Sequence, residues 1–253
     1  MLILLPPSET KNRRPNGTPM ACGGLSFPDL RGAREAVARE LIDVSARTDA
    51  VEILGVGERQ ADQVRANTAL DEAPAVPAAE LYTGVLYDAL DLPSLTPLQR
   101  KRAEGAIVVV TALYGAVRLS DAIAPYRLSM GVKLPGTGRL AAFWRPHLDD
   151  ALTAAAGARL VVDCRSSDYV AAWRPRHLGD QWVRVAVPGA SHYAKHTRGL
   201  VARALCQGEP AATPEELAER LAVRFDVSLT APQRRSSAWQ LDVTAAAGAL
   251  SGG

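Results

Sequence analysis

Cysteine is scarce in this chain. Cys22, Cys164 and Cys206 lie far apart in 253 residues, and no two form a CxxC pair. An odd, widely spaced set argues against a disulfide framework and a zinc knuckle, and fits a reducing compartment. Long apolar runs are missing too: nothing approaches the ~18 residues that a membrane-crossing helix needs. The opening Met1-Leu2-Ile3-Leu4-Leu5 has no basic stretch before it and stops at Pro6-Pro7. That is too early for a secretion signal, so it reads as a first β-strand, and the cytoplasm is the expected location. A surplus of one charge is also lacking. Lys+Arg 29 against Asp+Glu 27 leaves +2, so any nucleic-acid partner must be argued from local clustering. Histidine is limited to four residues, with one i, i+4 pair, His192 and His196, and no carboxylate at ligand spacing beside it. Neither a metal nor a cofactor is expected. There is no internal repeat and no clear linker, so one domain is expected over 1–253.

What is present is a core. Hydrophobic residues make up 47% and charged residues 22%, which excludes global disorder. A short, fully apolar run at Leu2–Leu5 and apolar-rich runs at Ala106–Thr111, Arg159–Cys164 and Trp182–Val187 read as strands. Helical spacing covers Pro28–Ala46, Thr83–Leu90, Pro93–Ala103, Leu140–Leu152 and His192–Leu205. Thr213 and Pro214 form an N-cap and N1 pair for a helix to Leu221. Phe225–Leu229 and Trp239–Val243 alternate apolar and polar, as a closing hairpin would, before a frayed tail from Ala245. A short helical segment is expected to end at Ala122–Pro125. Together these predict a mixed α/β fold with a central mixed sheet flanked by helices.

The stretch from Gly105 to Pro146 organises the rest. A β-branched strand breaks at Tyr114-Gly115 and is followed by Arg118, Asp121, Tyr126, Arg127, Lys133 and Trp144. Cations set among tyrosines and tryptophan suit the wall of an anion-accepting site. Similar polar groups follow other strands: Ser8-Glu9-Thr10-Lys11 after the first, and Ser166, Asp168 and Tyr169 after the third. Lys195 and Arg198 fall on one helix face. Tyr82 and Gly84 flank a helix start whose free N–H groups would face a ligand. Separately, Leu54-Gly55-Val56-Gly57 followed by Ala61 has the spacing of a helix-hairpin-helix within about residues 36–70. Such a turn offers N–H groups to a phosphate, with Arg59 and Arg65 adding charge. A plain αα-hairpin would carry the same glycines.

The motifs MLILLPPSETK, LYTGVL, ALYGAVRLSDAIAPYRLSMGVKL with its following FW, SSDY, and HYAKHTRGL resemble the YaaA family of peroxide-stress proteins. The resemblance runs from Met1 to about Leu205. It implies a single α/β fold with a helix-hairpin-helix-like element, DNA binding, and lowered free iron under hydrogen peroxide. The matching positions are Lys11, Tyr82, Gly84, Tyr114, Gly115, Arg118, Tyr126, Arg127, Lys133, Ser166, Asp168, Tyr169, Lys195 and Arg198. The chain departs from the family pattern at Ser129, where Glu is frequent, and at Asp163 and Arg165, where Asn and Ala are usual.

Two functions follow as expectations. The first is a stress protein that binds DNA through Gly55, Gly57, Arg59 and Arg65, reading backbone rather than bases. The second is an enzyme acting on a small anionic or nucleotide-like substrate. In it Arg118 and Arg127 hold the anion, with Lys11, Tyr82, Gly84, Tyr114, Tyr126, Ser166 and Arg198 lining the site. Lys195 or Lys133 serves as base or nucleophile, Asp168 as general acid/base, and Tyr169 as proton donor.

Overall fold

The computed structural model describes residues 1–20, 22–189, 191–234 and 237–245. In chain order, β1 (Leu2–Leu5) is followed by a long loop and α1 (Arg31–Ser45). Then come α2 (Ala50–Ile53), α3 (Ala61–Arg65), β2 (Val76–Pro77), α4 (Ala78–Leu81), α5 (Val85–Leu90) and α6 (Pro97–Ala106). The middle holds β3 (Ile107–Thr111), β4 (Gly115–Arg118), β5 (Ala122–Ile123), β6 (Lys133–Leu134), β7 (Gly138–Arg139) and α7 (Leu140–Ala156). The chain continues through β8 (Val161–Asp163), α8 (Ser167–Ala172), β9 (Trp182–Ala186), α9 (Ser191–Gln207) and α10 (Pro214–Ala222). It closes on β10 (Phe225–Thr230) and β11 (Trp239–Ala245). The expected tail therefore starts inside a strand, and residues 246–253 lie outside the described residues.

Seven strands form one sheet in the order β10-β11-β9-β8-β1-β3-β4. The pairs from β11 across to β3 are parallel, and β10 and β4 close the two edges antiparallel. β1, β3 and β8 at the centre of the sheet are buried on both faces, which is why they read as apolar runs. The remaining strands make two small two-stranded sheets. Helices cover the large sheet, and one continuous apolar core joins them to it. No helix among the described residues is long and apolar enough to cross a membrane.

Two expectations change. No helix ends at Ala122–Pro125. After Tyr114 the chain turns at Gly115 and returns antiparallel to β3 as β4, and β5 then pairs with β2. The cause is tertiary. Buried Arg34 of α1 donates from Nε to the Tyr114 carbonyl (3.0 Å) and from Nη2 to the Ala116 carbonyl (2.8 Å), satisfying the turn from below. The second change concerns the hairpin. Its helices are one turn each, α2 with four residues and α3 with five. Gly55 caps α2 at φ 61°, with Val56 N–H bonding the Val51 carbonyl (3.1 Å) and Gly55 N–H the Glu52 carbonyl (3.0 Å). Gly57 sits in ordinary extended backbone, φ −80°, so it is not needed for the turn.

The β3–β4 turn also depends on close packing. Gly115 has φ 68°, and a Cβ there would lie 2.5 Å from the Trp144 ring, whose Nε1 donates to the Ala112 carbonyl at 2.7 Å. A Gly115→Ala substitution combines left-handed strain with a core clash. It is expected to cost about 3 kcal/mol, read as a lowered urea midpoint with unchanged slope.

Candidate functional site at the carboxyl edge of the sheet

β1 is the point where the sheet's winding reverses. The chain runs from β1 to β3 on one side, then crosses back to place β8 on the other. Loops that leave β1 and β8 therefore part at the same edge and open a crevice. A cavity of about 550 Å³ lies there. Its floor is the Pro6–Lys11 loop, and its walls come from residues 83–87, 127–129, 166–169 and 194–198.

The loop after β1 is tied down by backbone groups from the segment before α5. Asn12 N–H donates to the Leu81 carbonyl (2.9 Å), and Asn12 Nδ2 to the Glu80 carbonyl (2.7 Å). Thr83 N–H donates to Ser8 Oγ (3.1 Å), while Gly84 N–H donates to the Asp88 carboxylate (3.2 Å). Those two N–H groups were expected to face a ligand. They are engaged by the protein, and α5 has only six residues.

Lys11 is the electrostatic centre. Nζ donates to the Ser8 carbonyl at 2.7 Å and sits 4.3 Å from the Tyr126 ring centroid and 5.8 Å from that of Tyr82. Burial holds its amine down at about 7, with the Arg127 guanidinium adding to the effect. Tyr126 and Tyr82 are buried behind it, their hydroxyls 3.3 Å apart. Burial pushes the Tyr126 phenol up to about 12, and that of Tyr82 well above its usual range. These rings form a low-dielectric wall that disfavours an ammonium ion.

Arg127 is aimed by its backbone. Its N–H donates to Asn67 Oδ1 (2.8 Å), and Asn67 Nδ2 donates back to the Arg127 carbonyl (3.0 Å). Its side chain lies 3.6 Å from the exposed Glu9 carboxylate. Lys195 and Arg198 come from α9, which crosses α5 at Gly199. A Cβ at Gly199 would stand 2.1 Å from the Leu86 carbonyl oxygen, so only glycine lets the two helices meet this closely. Asp168 and Tyr169 lie on α8, with Ser166 just before it. Burial pushes the Tyr169 phenol upward, so it stays protonated at neutral pH.

Of the residues singled out in the sequence, Lys11, Gly84, Arg127, Ser166, Asp168, Tyr169, Lys195 and Arg198 line this one cavity. Tyr82 and Tyr126 stand behind Lys11. Tyr114 is core, donating its hydroxyl to the Ala124 carbonyl (3.0 Å). Arg118 is elsewhere: the antiparallel return of β4 carries it back beside Val108, where Nη1 donates to the Gly105 carbonyl (3.2 Å) at the opposite end of β3. Lys133 is exposed on β6, opposite Arg139, and is not in the cavity wall. Gly55, Gly57, Arg59 and Arg65 are all exposed on the hairpin. Tyr87 and Asn67 were missed. Tyr87 lines the cavity and bonds the Pro6 carbonyl (2.7 Å), and helical apolar spacing alone marked it as core. Asn67 had no local signal, since its partner is sixty residues away.

The two departures at 163 and 165 are one feature. Arg165 and Asp163 form a fully buried ion pair with two 2.8 Å contacts, and Arg165 also donates to the carbonyls of Tyr169 (3.1 Å) and Trp173 (2.8 Å). The pair fixes the start and end of α8. Between them Cys164 is buried, and burial pushes its thiol up to about 12, so it is not a thiolate at neutral pH. Among the described residues, no group of three or more His, Cys, Asp or Glu side chains comes together to hold a metal.

The class of protein is thus a mixed α/β domain with a cation-rich crevice at the winding switch of its sheet. Comparison with known proteins makes the assignment sharper. Residues 1–228 match the family described as peroxide stress protein YaaA. A UPF0246 protein of Streptomyces coelicolor is 44% identical over 254 residues, covering 96% of this chain and 98% of its own length. One from Corynebacterium efficiens is 40% identical over 226 residues, covering 84% and 88%. One from Corynebacterium glutamicum is 35% identical over 218 residues, covering 83% and 86%. The chain belongs to the YaaA peroxide-stress family.

The site makes a direct electrostatic prediction. The chain has four lysines, Lys11, Lys101, Lys133 and Lys195. Reductive methylation followed residue by residue should show Lys11 reacting with a midpoint near pH 7, against about 10.4 for a free lysine. Because its proton is lost earlier in the folded state than in the unfolded one, this group makes stability rise as pH climbs from about 7 towards 10. Lys11→Met should flatten that rise in pH-dependent denaturation. A Lys11 midpoint near 10 would contradict the electrostatic account.

Proposed function

We propose that this protein serves the peroxide-stress response by binding a small anionic, nucleotide-like ligand in the carboxyl-edge cavity and acting on it with Lys11 as general base. The carrying observation is a lysine held near neutrality by burial inside an opening that three further cations face: Arg127, Lys195 and Arg198. A neutral amine at working pH can take a proton. The three cations then supply charge for holding an anion and for stabilising negative charge as it develops. Asp168 is a second proton-handling group, and Tyr169, kept protonated, is a donor. Val85, Leu86, Tyr87 and Leu128 give the cavity an apolar side suited to a flat ring. The family's name supports the physiological setting.

The test is a thermal-shift panel of nucleobases, nucleosides, nucleotides and sugar phosphates, followed by turnover assays on any hit. Lys11→Met should lower turnover by at least about a hundredfold. Arg127→Ala should weaken binding by about tenfold or more. A hit whose binding and turnover ignore both changes would remove the cavity from the function.

A second reading, DNA binding, is favoured by one local observation. The Gly55 cap leaves Gly57, Arg59 and Arg65 exposed on a single hairpin. The two readings join if a base flipped from DNA enters the cavity. Binding of a labelled duplex should be detectable at low salt and weaken steeply as salt rises. The Arg59→Ala/Arg65→Ala double variant should reduce the log–log salt slope by about two. No binding by the wild-type chain at low salt, or an unchanged slope in the double variant, would remove the hairpin reading.

A further inference from the structure

A second hollow, about 650 Å³, lies beside the first along β9 and β11. Arg174, Arg184, Arg198 and Arg234 line it together with Trp182 and Trp239, and no Asp or Glu is in its wall. Among the described residues, none of these arginines has an acidic partner within 4 Å. Clustered cations of this kind repel one another unless an anion sits between them. Arg184 projects from β9, where Val183 and Val185 on either side are buried, and it stands opposite Gln240 of β11.

Two donors at this hollow are buried and unsatisfied: Trp239 Nε1 and Arg198 Nε. Buried N–H groups nearly always have an acceptor, so their pairing here marks a place where an acceptor-rich group belongs. Arg198 is shared, since it lines both this hollow and the cavity of Lys11. A group bound among the arginines is therefore next door to the reacting end of whatever occupies the cavity.

We propose that the arginine hollow is a phosphate subsite, and that the ligand of the Lys11 cavity carries a phosphoryl group seated there. This rests on the small-ligand reading above. A phosphate offers several oxygens in a tetrahedral array, enough to meet two or more guanidinium forks and the Trp239 N–H together, whereas a carboxylate offers two in one plane. Lysines, which bind phosphate as point charges, are absent from this wall. The phosphoryl group has two possible sources, a free nucleotide or the backbone of a DNA strand, and both present the same chemistry.

The experiment uses the full chain, with isothermal titration at low ionic strength. Its probes are inorganic phosphate, a deoxynucleoside, its 5′-monophosphate and a short single-stranded oligonucleotide. The wild-type chain should bind the monophosphate or the oligonucleotide at least about tenfold more tightly than the deoxynucleoside. The Arg174→Gln/Arg184→Gln variant alters two exposed side chains outside the Lys11 cavity. It should keep its circular dichroism spectrum and lose most of that preference. Gain with the monophosphate identifies a free nucleotide; gain with the oligonucleotide alone identifies a strand. A wild-type chain that binds no phosphate-bearing probe more tightly than the deoxynucleoside overturns the proposal. So does a folded double variant that retains the full preference, or binding of inorganic phosphate alone, an adventitious ion only. Lys11→Met and Arg127→Ala separate the two readings. If Lys11→Met leaves turnover of a hit unchanged and Arg127→Ala leaves all binding intact, while the arginine variant loses phosphate preference, the cavity reading fails and the subsite stands.

Discussion

Four residues, Leu2 to Leu5, are paired in parallel on both sides, to β3 through Ile3–Leu5 and to β8 through Leu2–Leu4. The site depends on this double pairing. Parallel neighbours end at the same edge, so the segments that follow β1 and β8 emerge side by side. The Cys164 N–H bond to the Leu4 carbonyl (2.9 Å) is the last rung before they part. Everything that lines the cavity is hung from that divergence or packed against it. A one-residue slip of β1 would turn apolar side chains and move Lys11 relative to Asp168 at once.

Polar contacts inside the core convert that edge into a shaped opening. Arg34 satisfies the β3–β4 turn, Asn67 clamps the backbone of Arg127, and the Asp163–Arg165 pair ties both ends of α8. None of these groups reaches the cavity directly. Each is buried and hydrogen-bonded to partners distant in sequence or in a neighbouring element. A buried ion pair adds little net stability over an apolar replacement, but removing one partner strands a charge and costs about 3–5 kcal/mol. The Asp163–Arg165 pair is better understood as geometry than as glue: it locks Tyr169 and Trp173 relative to β8, and Trp182 Nε1 adds a further bond to Asp163 (3.2 Å).

The charges are arranged unequally. Arg127 shares its cation with Glu9 at the rim, while the exposed Lys195 and the half-buried Arg198 line the cavity without an acidic neighbour within 4 Å among the described residues. Lys11 sits deepest, against two phenol rings. Burial there favours the neutral form of the Lys11 amine. Two hollows then share one arginine, so charge compensation in one is felt in the other.

Much of this was legible in the chain. Apolar runs located the central strands β1, β3 and β8, because strands buried on both faces have no polar alternation to hide them. Polar clusters directly after those runs located the edge where ligand groups gather, and Ser166, Asp168, Lys195 and Arg198 followed from spacing. What stayed hidden was direction and depth. Arg118 and Arg127 look equivalent nine residues apart, yet an antiparallel return sends one to the far end of β3, while a clamp from Asn67 turns the other inward. Lys11 read as one anion-binding cation among several, yet burial holds its amine down at about 7, because a pKa answers to the dielectric made by Tyr126 and Tyr82 and no local motif encodes that. The sequence by itself determined which segments become strands and which ends carry polar groups, since periodicity and apolar content act locally. Only the tertiary structure decided which of those groups share a cavity, because that depends on strand order, on helix crossings such as the one at Gly199, and on the burial that long-range packing alone creates.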